Sequence, residues 1–81
     1  MAVRKKNPNV RDFIKKVRAG LGMSQAAFAK YIGTNLATLQ RWESATAAPG
    51  GLMVIRLFEA GVDITELGKA FEADAALPAA A

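Results

Sequence analysis

The side chains with the most pointed chemistry lie in one short stretch, Asn35-Leu36-Ala37-Thr38-Leu39-Gln40-Arg41-Trp42-Glu43-Ser44. Leu39 and Trp42 are spaced to face inward on a helix, which leaves Asn35, Leu36, Ala37, Gln40, Arg41 and Ser44 free. The Arg41 guanidinium is a planar fork of donors, and the Gln40 amide offers a donor beside an acceptor. Such groups suit bidentate hydrogen bonding to the edge of a flat ligand: guanine O6 and N7 for Arg41, adenine for Gln40. Leu36 and Ala37 offer only apolar contact, for which the thymine methyl is the natural partner, and Thr38 suits a thymine methyl or a phosphate. Nothing nearby breaks bonds. The chain has no Cys and no His, which removes thiol nucleophiles, imidazole bases and the usual transition-metal sites. Its carboxylates are scattered, so neither an enzyme nor a cofactor nor a metal site is expected.

Two short helices must position this surface. Ser24 suits an N-cap, and Phe28, Ala29 and Ile32 then fall on one face. Gly33 ends that helix, as a residue free to take a positive φ, and Asn35 caps the next. A connection of about three residues forces amphipathic helices to cross steeply, so the second stands off the body with one face exposed. Gln25 opens the first helix, where N–H groups and the helix dipole attract a phosphate.

The stretch from Met23 to Ser44 resembles the helix-turn-helix of the Cro/CI-type (XRE) family of small DNA-binding repressors. The family pattern asks for Gln at the start of the first helix, a small residue four on, Gly at the turn and apolar residues six and nine beyond it; the chain supplies Gln25, Ala29, Gly33, Leu39 and Trp42. The resemblance covers about residues 10–60. It implies an all-α, five-helix lambda-repressor-like domain in which helices 2 and 3 form the motif and helix 3 enters the major groove of double-stranded DNA. Base reading then falls to Arg41, Gln40, Ala37, Leu36 and Asn35, and phosphate binding to Gln25, Thr38, Ser24 and Thr46. Relatives often carry longer polar residues at the places of Leu36 and Ala37, and Lys or Arg in the loop Ala45–Ala48, where this chain has only Thr46. In the family an Arg near the end of helix 1 pairs with the Glu that follows the last core residue of helix 3, which implies an ion pair between Arg18 and Glu43. Removing one partner costs roughly 3–5 kcal/mol if the pair is buried and about 0–1 if it is exposed.

The remaining segments follow from spacing. Residues 1–7 read as a flexible basic arm whose Arg4, Lys5 and Lys6 reach for DNA phosphates or a minor groove. Residues 8–73 form the DNA-binding and dimerisation domain, and 74–81 an Ala-rich flexible tail. Helix 1 starts either with Asn7 as cap and Pro8 first, or with Asn9 as cap and Asp12 three on. Val10, Phe13, Ile14 and Val17 make its apolar stripe, and Leu21 returns to the core after Gly20. Helix 4, about Gly51 to Ala60, is apolar nearly all round; Asp63 caps helix 5, with Ile64, Leu67 and Phe71 as its stripe. Phe58, Val62, Ile64, Leu67 and Phe71 are therefore the expected two-fold interface.

Charge is lopsided. The chain carries +4 overall, but residues 1–41 hold nine basic residues against Asp12, a net of +8, and residues 42–81 hold two against six acidic, a net of −4. The positive half contains the motif, as a phosphate-facing surface requires. With 81 residues, 52% of them hydrophobic, the chain is one small domain that association would help to stabilise. No apolar run approaches the ~20 residues of a membrane span, and no hydrophobic segment follows the basic N-terminus as in a secretory signal, so a cytoplasmic protein is expected. These features lead to a homodimeric repressor occupying an inverted repeat, most plausibly in its own operon, in a phage or mobile element or beside an anti-CRISPR gene. The alternative is an antitoxin that neutralises a toxin protein by contact and binds DNA secondarily.

Overall fold

The computed structural model describes residues 7–77, which form five α-helices and, among the described residues, no strand: α1 (Pro8–Gly20), α2 (Gln25–Ile32), α3 (Leu36–Glu43), α4 (Gly51–Glu59) and α5 (Ile64–Ala75). Three of the starts are fixed locally. Ser24 Oγ accepts from the Ala27 N–H at 3.1 Å, Asn35 Oδ1 accepts from the Thr38 N–H at 2.8 Å, and Asp63 Oδ1 accepts from the N–H groups of Thr65 and Glu66. Each satisfies a donor that the first turn leaves unpaired.

The start of α1 is held from the other end of the chain. Pro8 takes the first turn, and Asn7 occupies the cap position without a side-chain bond. Instead Asp74, near the end of α5, accepts from the Asn9 N–H at 2.8 Å, from Asn9 Nδ2 at 2.9 Å and from the Val10 N–H at 3.0 Å. The folded region therefore extends beyond residue 73: α5 continues to Ala75, and Asp74 ties it to α1 rather than opening a tail.

A single core joins the five helices. Val10 and Ile14 of α1, Phe28, Ala29 and Ile32 of α2, Leu39 and Trp42 of α3, Leu57 of α4, Val62 of the following turn and Leu67 of α5 are all buried in one cluster. α1 lies against α5 and α3, while α2 packs on α3 and α4. Ala29 is buried within this cluster, so a larger side chain there would overpack the site by about 1–3 kcal/mol.

Three expectations need correction. Leu21 is 48% exposed; Gly22, at φ 67°, turns the chain so that Met23 packs against the core instead. Val62 and Leu67 do not line an outer surface, because both are buried in the chain's own core. Ile64 and Phe71 are only half-buried, but they too pack against that core. Of the five residues expected at a two-fold interface, Phe58 alone projects clear of the domain, at 64% exposure.

Candidate nucleic-acid interface

The turn between α2 and α3 sets the geometry of the interface. Gly33 adopts φ 80°, ψ 34°, the left-handed region that a Cβ disfavours, and the Thr34 N–H returns to the Ala29 carbonyl at 2.9 Å. Asn35 then starts α3 at once. Leu39, Trp42 and Glu43 hold one side of α3 in the interior, and Asn35, Leu36, Ala37, Gln40, Arg41 and Ser44 are exposed on the other.

An ion pair fixes the inner side. Arg18 donates to Glu43 through Nε at 2.8 Å and Nη2 at 2.9 Å, and its Nη1 reaches the Met23 carbonyl at 3.0 Å. The Glu43 side chain is 2% exposed and that of Arg18 24%. The bonds to Glu43 hold the Arg18 guanidinium above its ordinary pKa, against the opposing effect of desolvation. Gln25 joins the pair, donating from Nε2 to Glu43 Oε1 at 3.2 Å. One carboxylate thus connects α1, the first residue of α2 and the end of α3. Gln25 is half-buried and is held in this network, not extended into solvent; its second amide hydrogen stays available. The residue types and the family likeness carry the Arg18–Glu43 contact, but no local signal in the sequence announces the Gln25 bond.

On the outer side Arg41 Nη2 donates to Thr38 Oγ1 at 3.2 Å, so the guanidinium lies back along its own helix with most of its donors free. Thr38 is half-buried. Thr46 Oγ1 donates to the Arg41 carbonyl at 3.2 Å and Ser44 Oγ does the same at 3.1 Å, joined by the Thr46 and Ala47 N–H groups. These donors satisfy the exposed carbonyl end of α3, and Thr46 must release that bond before it can donate elsewhere. Ala45 makes the reversal possible at φ 63°, fully buried. Ser24 Oγ is occupied as a cap acceptor, which leaves its hydrogen free to donate. Arg4, Lys5 and Lys6 lie outside the described residues.

Within α1 to α3 the basic side chains Arg11, Lys15, Lys16, Arg18, Lys30 and Arg41 outnumber Asp12 and Glu43. Arg11 pairs with Asp12 at 2.8 Å, and that hydrogen bond holds the Asp12 carboxyl below its usual pKa. Among the described residues no group of carboxylates is arranged to hold a metal ion, and no helix is long and apolar enough to cross a membrane.

Two crossed helices joined at a left-handed glycine, the second with a hydrogen-bonding outer face, define a helix-turn-helix DNA-binding domain. A helix-turn-helix family model matches residues 14–67, and the chain belongs to that family, the XRE-type regulators. It is a DNA-binding transcriptional regulator, from a family of DNA-binding domains and not of enzymes. No curated protein and no solved structure matches it.

Proposed function

We propose that this regulator is a repressor that binds an inverted repeat as a homodimer and controls its own operon, as a small regulator of a phage, a mobile element or an anti-CRISPR locus would. One observation carries the reading: α3 exposes Asn35, Leu36, Ala37, Gln40 and Arg41 while Leu39, Trp42 and Glu43 anchor its other side. Arg41 swings off Thr38 to take guanine O6 and N7, Gln40 takes adenine, and Leu36 and Ala37 meet thymine methyls. Asn35, its Oδ1 held by the cap, has its amide hydrogens for a base edge. Ser24, Gln25 and Thr38 donate to phosphates at the start of α2 and α3, and Arg4, Lys5 and Lys6 add a basic arm. Thr46 is the weakest member of the set, since its hydroxyl already serves the Arg41 carbonyl.

Two copies of α3 would enter successive major grooves about 34 Å apart. With ~6–10 phosphate contacts per dimer, affinity falls by roughly 10³–10⁵ between 50 and 200 mM salt. Selection from a randomised duplex pool, followed by footprinting of the selected sequence in the chain's own upstream region, tests the reading. A palindromic consensus protected in that region is the expected result; a pool that yields no consensus contradicts it. The second reading, an antitoxin, draws on the exposed apolar residues of α4. Stable co-purification with a neighbouring gene product, and loss of that product's toxicity, would favour it.

A further inference from the structure

A basic side chain of α4 lies over the turn that joins α2 to α3. The place a β-carbon would take at Gly33 is 2.6 Å from Arg56 Nη1 and 3.5 Å from both Arg56 Cδ and Cζ, so the guanidinium and the end of its stem fill the space that the missing side chain leaves. Gly33 suits this position on two counts, its φ of 80° and this contact. Arg56 is exposed, and Glu59 stands three residues on in the same helix, at a spacing where ion pairs form readily. Arg56 nevertheless forms no ion pair among the described residues. It lies on the turn instead.

Electrostatics account for that choice. The Gly33 and Thr34 N–H groups return to the Lys30 and Ala29 carbonyls, which leaves the Tyr31 and Ile32 carbonyls at the end of α2 without a backbone partner. A helix end of this kind carries partial negative charge and favours a cation. Arg56 also belongs to the last turn of α4, and the ends of α2 and α4 border one open hollow of about 300 Å³. Two carbonyl ends thus share one guanidinium. Tyr31 ties the same two ends together, donating from its hydroxyl to the Ala60 carbonyl at 2.9 Å.

We propose, on the reading of α3 given above, that Arg56 is a positioning residue for DNA recognition: seated on Gly33, it holds the turn from which α3 departs and so sets how Asn35, Gln40 and Arg41 meet the bases, without touching DNA itself. The packing partners of α3 are α1 and α2, while α4 packs on α2 and α5. The influence of α4 on the start of α3 therefore passes through the end of α2 and the turn. Asn35 lies only two residues beyond Gly33, and a rotation at the turn is carried along the rigid helix to Arg41. Bidentate contacts need their donors held to within about 0.5 Å, so a small loosening of the turn costs recognition before it costs the fold.

The test measures binding of the full chain and its variants, over a range of salt, to the duplex that the wild type selects and to an unrelated duplex. Arg56→Met keeps the stem and removes the charge; it should weaken binding to the selected duplex about fivefold or more and to the unrelated one less than about twofold, with circular dichroism like that of the wild type. The slope of log affinity against log salt should be unchanged, because no phosphate contact is lost. Gly33→Asn keeps a residue that tolerates the left-handed region but puts a β-carbon where the guanidinium lies. It should weaken binding by a similar factor, and adding Arg56→Met to it should change affinity no further. In the free protein, Arg56→Met should speed hydrogen exchange at the Thr34 amide, which closes the turn. Unchanged affinity for the selected duplex in Arg56→Met overturns the proposal, as do losses that add in the double variant. A salt slope smaller by about one for each lost contact overturns it too, by making Arg56 a phosphate ligand. Failure of the DNA-binding reading is read separately: a wild type that selects no sequence removes the repressor, and Thr34 exchange then decides whether Arg56 holds the turn, faster exchange in Arg56→Met leaving that hold standing and unchanged exchange removing it.

Discussion

The outer faces of α3 and α4 are both exposed and differ in chemistry. The face of α3 offers an Arg fork, an amide and hydroxyls, with the buried Glu43 carboxylate and its half-buried partner Arg18 behind it. The face of α4 is apolar, edged by one charge of each sign and backed by Leu57, with Met53 and Val54 half-buried against the core. Exposure alone therefore says little about a surface. Directional donors held on a rigid helix suit a ligand with a fixed pattern of acceptors, whereas an apolar stripe offers contact area with no directional demand.

The comparison can be tested from behind, at the residues on which the α3 face depends. Trp42→Ala should destabilise the domain by about 3–5 kcal/mol, leaving both faces lost in urea denaturation because α3 loses its anchor in the shared core. The ion pair should respond asymmetrically. Arg18→Met strands a carboxylate that is almost fully buried and should cost about 3 kcal/mol or more, while Glu43→Gln leaves an arginine that can still reach solvent and should cost less. Equal losses would show that burial of Glu43 is not what makes the pair matter. Asp74→Ala removes three hydrogen bonds from the start of α1 and should cost about 1–2 kcal/mol, with faster amide exchange at Asn9 and Val10 and no change at the α3 face. Asp12→Asn should be the mildest. Its carboxyl, held below its usual pKa by Arg11, contributes stability above the ordinary carboxylate pKa and loses it as the pH falls through the lowered value. At 67% exposure, solvent reduces that contribution to about 0–0.5 kcal/mol.

How much was legible in the sequence depended on the reach of each interaction. The caps at Ser24, Asn35 and Asp63 act over two or three residues and could be read directly, as could Gly33. The inward spacing of Leu39 and Trp42 likewise fixed which side of α3 is exposed. The cap that Asp74 places on α1 spans 65 positions, and no local pattern announces it, so α5 seemed to end early and its last turn to be tail. In α4 the failure has another cause: where a helix is apolar nearly all round, periodicity cannot say which stripe faces in. The core chose Leu57, along with Val62 and Leu67 from the segment that follows, and left Leu52, Ile55 and Phe58 outside. Residues such as Gln25 fall between these cases. Its place at the head of α2 was readable, but its bond to Glu43 depends on how three helices meet.

The central claim is that the outer face of α3 reads DNA, and Arg41→Ala tests it most directly. Thermal unfolding should first show the variant within about 0.5 kcal/mol of wild type, as for an exposed residue. Binding of each protein is then measured to the selected duplex and to duplexes altered at single base pairs. The expected result is that Arg41→Ala loses roughly 1–3 kcal/mol of discrimination at one G·C pair in each half-site and keeps its preferences elsewhere. An unchanged consensus and unchanged affinity in the folded variant would contradict the account.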